Sequence, residues 1–234
     1  MPNSIIQPSK DFKGSVILLE YILDTIRKFS IDSKLLFFSS AAVYGSPKLN
    51  EKLSEKSPKE PISPYGFNRL FCENLLDQYR FLYSLKSISL RIFSAYGNKL
   101  KTRIFWDFAE SVRLHNKIKV KCPPTVTRDF IHISDLCNAV KLIIDKHNFE
   151  GKTNSINIAS GESTSIKEIT SIFRNNPIHE ENLDIDFSEK VRKGDPINWD
   201  ADISKLEALS FKSNISIVEG LSEYIRWYKK TFIN

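Results

Sequence analysis

Between Gly14 and Phe29 the apolar residues Val16, Leu19, Ile22, Leu23 and Ile26 recur at helical spacing with charged residues opposite, which predicts a helix burying one face. Leu35 to Phe38 is a short unbroken apolar run, the pattern of a parallel strand covered on both faces. It leads straight into Ser39 and Ser40. In open α/β sheets ligands bind outside the carboxyl ends of strands, so polar residues at that place invite a functional reading. Ser46 to Pro61 is polar and Pro-rich, a loop, and Ser63-Pro64 reads as an N-cap with proline at the first helical position. The helix it starts is predicted to run from about Tyr65 to about Leu85.

Ile88 to Phe93 gives the next strand, leaving through Ser94-Ala95-Tyr96-Gly97 as a strand-to-loop exit does. Alternating helix and strand point to a doubly wound α/β sheet. Further helices are predicted near Ile104–His115, Ser134–His147, Ser165–Arg174 and Ile217–Tyr228. Further strands are predicted near Ile118–Val120, Asn154–Ile158 and Leu183–Phe187. Residues 1–97 then form the main sheet domain. Residues 98–234 form mainly a smaller α/β lobe packed against the sheet, with segments that return to it.

Composition narrows the class without naming a chemistry. The chain has 234 residues, 41% hydrophobic and 26% charged, enough for a full core. Its net charge of +6 is spread among many acidic residues, which argues against a nucleic-acid partner and suits phosphorylated small molecules. Cys72, Cys122 and Cys137 are widely spaced and lack a CxxC pairing, so neither a disulfide framework nor a zinc site is supported and a metal is not expected. A reducing cytoplasm fits that usage. No apolar run is long enough for a membrane helix, and no signal-peptide pattern opens the sequence.

Tyr65 and Arg69 stand four residues apart on a predicted helix, hence on one face about one turn apart. A tyrosine serves as a general base near neutral pH only when its phenolate is stabilised, and a fixed cation one turn away does this. A serine hydroxyl at a neighbouring strand end can hydrogen-bond the same substrate oxygen. On those two residues alone a surface pair is the competing reading.

The strings LLFFSSAAVYG, SPYGFNRLFCENLL, LRIFSAYG, TRDFIHISDL and SINIASGE, in that order, resemble the extended short-chain dehydrogenase/reductases. Within them the chain resembles the NAD-dependent epimerase/dehydratase group acting on nucleotide sugars. The resemblance runs from about Pro8 to about Tyr228 and implies an incomplete Rossmann-type doubly wound parallel sheet with the smaller C-terminal lobe. It implies Ser40 as the catalytic hydroxyl, Tyr65 as the proton-transferring tyrosine and Arg69 at the place usually held by lysine. It further implies NAD as cofactor, met by Ser39, Ser40, Tyr65, Arg69, Ile92 and Phe93. The substrate implied is a nucleotide-diphosphate sugar, with Ser94, Arg128 and Arg192 on the substrate side. Exposed salt-bridging arginines are the alternative for Arg128 and Arg192. Lys99, Lys101 and Arg103 are further phosphate contacts or a solvated face. Asp135 and Asp202 read as helix caps. Relatives pair through two helices per subunit, a homodimer or a pairing with a homologous chain that Leu70, Phe71 and Leu75 permit.

Three departures qualify the resemblance. The 234 residues hold no GxxGxxG turn of the kind that cradles a pyrophosphate, so the chain reads as lacking that portion and as exposing an apolar strand edge. Arg69 keeps the charge of lysine but not its shape. Ala41 and Ala42 occupy the two positions where dehydratases of the group carry Asp and Glu, and methyl groups transfer no proton. An epimerase, in surface-polysaccharide precursor synthesis, is therefore the expected function. A reductase or dehydrogenase is the alternative within enzymes, and a non-catalytic nucleotide-sugar-binding subunit is the alternative outside them.

Overall fold

A computed structural model describes residues 2–47, 51–149, 154–178, 182–191 and 194–233. The chain opens with two short helices, α1 (Pro2–Ile6) and α2 (Pro8–Phe12). A π-helical turn at Lys13–Ile17 joins α2 to α3 (Leu18–Phe29). The predicted face is the buried one: Val16, Leu19 and Leu23 pack with Cys72, Leu76 and Tyr79 of α4 (Pro64–Tyr83). Ser63 caps α4 by accepting the Gly66 amide at 3.2 Å, with Pro64 at the first position.

Three parallel strands form the central sheet in the order β1 (Leu35–Ser40), β3 (Ser87–Ile92), β7 (Ser155–Ile158). A short strand β2 (Lys52–Leu53) lies between the first two in sequence and pairs with β10 (Asp200–Ala201). The sheet core is apolar at Ile88, Leu90, Ile156 and Ile158, all buried. Its covering helices include α4 and α6 (Ile133–Lys146).

A second sheet sets β4 (Ser94–Tyr96) beside β6 (Thr127–His132), with β8 (Ser163–Ser165) antiparallel to β6. Around it lie α5 (Arg103–His115), the pair β5 (Lys117–Val120) and β9 (Asp184–Phe187), and the helices α7 (Ile166–Asn175) and α9 (Ile217–Phe232). A single turn, α8 (Ser204–Glu207), follows β10. Two readings change here. Ser94–Tyr96 is a strand of the second sheet, not only an exit from β3, and Thr127–His132 is a strand that no periodicity announced. Both are short and held by each other through the register Ser94↔Phe130 to Tyr96↔His132, a long-range pairing that local pattern does not carry.

One polar rung crosses the central sheet just before the strand ends, in the register Ser39↔Arg91↔Asn157. Ser39 Oγ donates to Glu73 Oε1 at 2.6 Å, and Arg91 grips Glu73 through Nε and Nη2 at 2.8–3.2 Å. Arg91 Nη1 donates to the Tyr44 hydroxyl at 2.8 Å, which in turn donates to Asn157 Oδ1 at 2.7 Å. All five side chains are buried. A buried charge survives only when paired and hydrogen-bonded, and this one is both. The rung ties α4 to the strand end that carries the serines. Burial pushes the Tyr44 phenol above its ordinary value, with Arg91 pulling the other way.

Candidate active site

Gly66 fixes how closely α4 approaches the end of β1. A Cβ at this position would lie 2.6 Å from the Ala42 carbonyl oxygen and 2.9 Å from Pro61 Cβ, so only glycine lets the first turn of α4 press on the 3-10 turn Ala41–Val43. That contact brings Tyr65 beside Ser40. Ser40 is extended and accepts the Ala42 amide at 3.2 Å, which holds its hydroxyl at the strand end.

The two residues share a cavity of about 430 Å³. Phe38, Ser39, Ser40, Tyr65, Ile92, Phe93 and Ser94 line one side of it, and Arg103, Phe105, Arg128, Phe130, Trp199 and Tyr224 the other. Seven residues of the sequence-based set thus converge: Ser39, Ser40, Tyr65, Ile92, Phe93, Ser94 and Arg128. Arg69 is not among the lining residues. Its guanidinium lies 4.9 Å from the Tyr65 ring centroid and 5.6 Å from that of Phe37, and its Nη1 donates to the Phe38 carbonyl at 3.3 Å. The expected proximity to Tyr65 is present, but the fork is spent on the strand edge. Its Nε is buried without a hydrogen-bond partner among the described residues. Arg192 lies outside the described residues.

Arg128 lines the cavity and is held by the backbone around it. Three backbone carbonyls, those of Thr127, Pro196 and Ile197, accept from its Nη atoms at 2.7–3.2 Å, and its guanidinium lies 5.5 Å from the Trp199 ring centroid. Burial lowers its affinity for the proton, and the Asp195 carboxylate opposes that effect. Carbonyls and an aromatic face fix the guanidinium at the cavity wall. Trp199 is itself anchored, its indole N–H donating to the Gly45 carbonyl at 3.1 Å.

Next to Arg128, the buried Asp129 accepts from the amides of Ser160 and Gly161 and the hydroxyl of Ser160 at 2.8–3.0 Å. Burial raises its pKa from the ordinary 3.8 to about 6, against those hydrogen bonds. It ties β6 to the turn after β7.

Several side chains take other roles than the sequence suggested. Asp135 is no cap: it accepts the Asn214 and Ile215 amides and the Ser213 hydroxyl at 3.0–3.1 Å, while His132 Nδ1 accepts the Ser134 amide and caps α6. The caps of a helix starting directly from a strand leave Asp135 free to tie in the segment before α9. Asp202 does receive the first amide of α8, from Ser204 at 2.9 Å. Of the basic residues after Gly97, Arg103 reaches the cavity, with its backbone in the left-handed region at φ 76°. Lys101 instead lies over the Phe232 ring, 4.9 Å from its centroid. The aromatic wall of Phe105, Phe130, Trp199 and Tyr224 carried no motif, because its members meet only when α5, β6, the segment just before β10 and α9 are assembled.

Ala41 and Ala42 are buried in the main core and do not line the cavity. The two positions after Ser40 thus present only methyl groups, turned into the core. The described residues hold no group of three or more His, Cys, Asp or Glu placed to bind a metal ion, and none of their helices is long and apolar enough to cross a membrane.

A serine at one strand end of a parallel sheet, a tyrosine on the next helix and a half-buried arginine line one cavity. Residues 1–159 match the NAD dependent epimerase/dehydratase family, and the chain belongs to that family. It is 26% identical over 246 residues to a UDP-glucose 4-epimerase of Halalkalibacterium halodurans, covering 97% of this chain and 72% of that protein. The UDP-N-acetylglucosamine 4-epimerase of Methanobrevibacter ruminantium M1, solved with UDP-N-acetylmuramic acid, superposes with a TM-score of 0.84 at 26% identity, over 99% of this chain and 74% of that one. The UDP-glucuronic acid 4-epimerase of Bacillus cereus, solved with UDP-glucuronic acid and NAD, gives 0.83 at 25% identity, over 93% and 68%. The family is NAD-dependent, and NAD is the cofactor of its solved relatives. The residues present are compatible with that group: Ser40, Tyr65, Ile92 and Phe93 line one cavity of mixed polar and apolar character.

Proposed function

We propose that this chain binds a nucleoside-diphosphate sugar, of the UDP-sugar class, in the cavity between β1 and α9 and supports inversion at one sugar carbon. The observation that carries the reading is the convergence of Ser40, Tyr65 and Arg128 on one cavity while Ala41 and Ala42 are withdrawn from it. NAD would be met by Ser40, Tyr65, Ile92 and Phe93 and would supply an acceptor and donor of hydride for the sugar carbon. Tyr65 takes the proton of the sugar hydroxyl as the ketone forms and gives it back on reduction. Ser40 hydrogen-bonds the same oxygen and fixes its distance from Tyr65. Arg128, with Arg103 at the rim, binds the diphosphate; the aromatic wall covers the apolar faces of base and sugar. Without an acid and base in the positions of Ala41 and Ala42, water elimination has no proton carrier, which favours epimerisation over dehydration.

Pairing of two copies through α3 and α4 is supported by Tyr21, Phe67 and Phe71, large side chains left exposed on those helices. Leu70 and Leu75 are instead partly buried against the cores. A cytoplasmic setting is supported by the three free thiols. Calorimetric titration with UDP-glucose, UDP-N-acetylglucosamine and UDP-glucuronic acid tests the reading. Saturable binding to at least one, weakened at least about tenfold in Arg128→Ala, is expected. Equal affinity in the variant, or no binding by the folded chain to any of the three, sinks it.

A further inference from the structure

Helix α1 is turned the wrong way round for its composition. Ser4 is buried, 3% exposed, while the apolar Ile5 and Ile6 beside it are 51% and 75% exposed. A polar side chain buried in preference to its apolar neighbours calls for a partner that it serves by hydrogen bonding. That partner is the start of α4. The first amides of a helix find no acceptor inside it. In α4, Pro64 carries no N–H, Ser63 Oγ accepts the Gly66 amide at 3.2 Å, and the Ser63 carbonyl accepts the Phe67 amide at 3.0 Å. The Tyr65 amide between them is taken from outside the helix: Ser4 Oγ accepts it at 3.2 Å.

The same segment grips α4 a second time. Asn68, buried, donates from Nδ2 to Asp11 Oδ2 of α2 at 2.7 Å. Tyr65 and Asn68 stand one turn apart on α4, so the two bonds hold its first turn at both ends. On its other side α1 meets the turn that fixes Arg128. Gly194, left-handed at φ 88°, precedes the Pro196 and Ile197 carbonyls that accept from Arg128, and a Cβ on it would lie 3.4 Å from Ile5 Cδ1 and 3.9 Å from Ser63 Cβ. Ser4 itself is not among the residues lining the cavity that holds Ser40 and Tyr65. Its link to that cavity is the Tyr65 backbone.

We propose that Ser4 is a positioning residue for Tyr65: its hydroxyl fixes the helix start from which the Tyr65 side chain is directed at the substrate oxygen beside Ser40. The role rests on the reading of Tyr65 as the proton carrier. The phenol must stand within hydrogen-bond reach of the sugar hydroxyl, and a misplacement of about 1 Å there costs about 10²-fold in rate. Tyr65 is the second residue of α4, in the turn where a helix frays first and its amides lack partners of their own. An acceptor brought from α1 removes that freedom. Gly66 sets how close the helix comes to β1, Ser63 sets where it begins, and Ser4 secures the catalytic side chain's own backbone next to them.

The full chain carrying isotope-labelled tyrosine gives separate magnetic-resonance signals for each tyrosine amide and ring, and those of Tyr65 are the ones lost in Tyr65→Phe. In Ser4→Ala the Tyr65 amide is expected to exchange at least about tenfold faster than in the parent chain, while the Tyr79 amide, well inside α4, keeps its rate. Saturating UDP-glucose, UDP-N-acetylglucosamine or UDP-glucuronic acid is expected to shift the Tyr65 ring signal in the parent chain. In Ser4→Ala that shift falls below about half, although affinity by calorimetry changes no more than about twofold, because Arg128 carries the diphosphate. Ser4→Thr keeps the hydroxyl and restores both. Unchanged exchange at Tyr65 in Ser4→Ala overturns the proposal. So does acceleration shared equally by Tyr79, a ring shift that survives in full, or no recovery in Ser4→Thr, since Ser4 would then serve only the fold at large. If no UDP-sugar moves the Tyr65 ring in the parent chain, the proton-carrier reading fails instead, and the exchange comparison still decides whether Ser4 holds the helix start.

Discussion

The two sides of β1 are built to opposite standards. On the side facing β3, every rung is paired, and beneath the last one Ser39, Glu73, Arg91, Tyr44 and Asn157 satisfy one another in a buried chain. On the other side the backbone of the same strand faces out, a phenylalanine is half exposed, and one arginine stands in for a neighbour. Stability and pre-organisation of the serine end come from the closed side.

Substitutions that touch the two sides unequally sharpen the contrast. Glu73→Ala strips the partner from a buried guanidinium and is expected to cost about 3–5 kcal/mol in denaturant unfolding, with the Ser39 hydroxyl losing its acceptor. A cost below about 1 kcal/mol there would mean the rung is ornamental. Next in size is a pH effect at Asp129. Its folded pKa of about 6 lies above the ordinary 3.8, so between those values the unfolded chain releases a proton that the folded chain retains. Stability then falls as pH rises from about 3.8 to about 6 and levels off above, by about 3 kcal/mol. Asp129→Asn should flatten that part of the difference curve against the parent protein; parallel curves would contradict the assignment.

Smaller effects are expected nearer the opening. Gly66→Ala drives a methyl group into the Ala42 carbonyl and should cost about 1–3 kcal/mol, while weakening UDP-sugar binding more than a distant change of equal cost. Phe38→Ala, at the edge, should cost less than about 1 kcal/mol. A loss as large as that of Glu73→Ala would show the edge to be already covered, and the contrast between the sides would collapse.

Much of the closed side was legible in the sequence because its signals are local. Ser63-Pro64 announced the start of α4, the apolar run before Ser39 announced β1, and Tyr65 and Arg69 shared a helix face by spacing alone. Assemblies of distant residues left no such trace. The rung that joins Ser39 to Arg91 and Asn157 depends on register across three strands, and the clamp on Arg128 on a turn about 68 residues away. Arg69 shows the limit differently: its charge and place on the helix were readable, but its partner is the Phe38 carbonyl, which only the vacant edge makes available.

The most direct measurement is paired calorimetry on the full chain, with a UDP-sugar and NAD titrated separately. The account predicts saturable UDP-sugar binding that Arg128→Ala weakens at least about tenfold. Tight NAD binding by the chain alone, with no UDP-sugar binding, would contradict it.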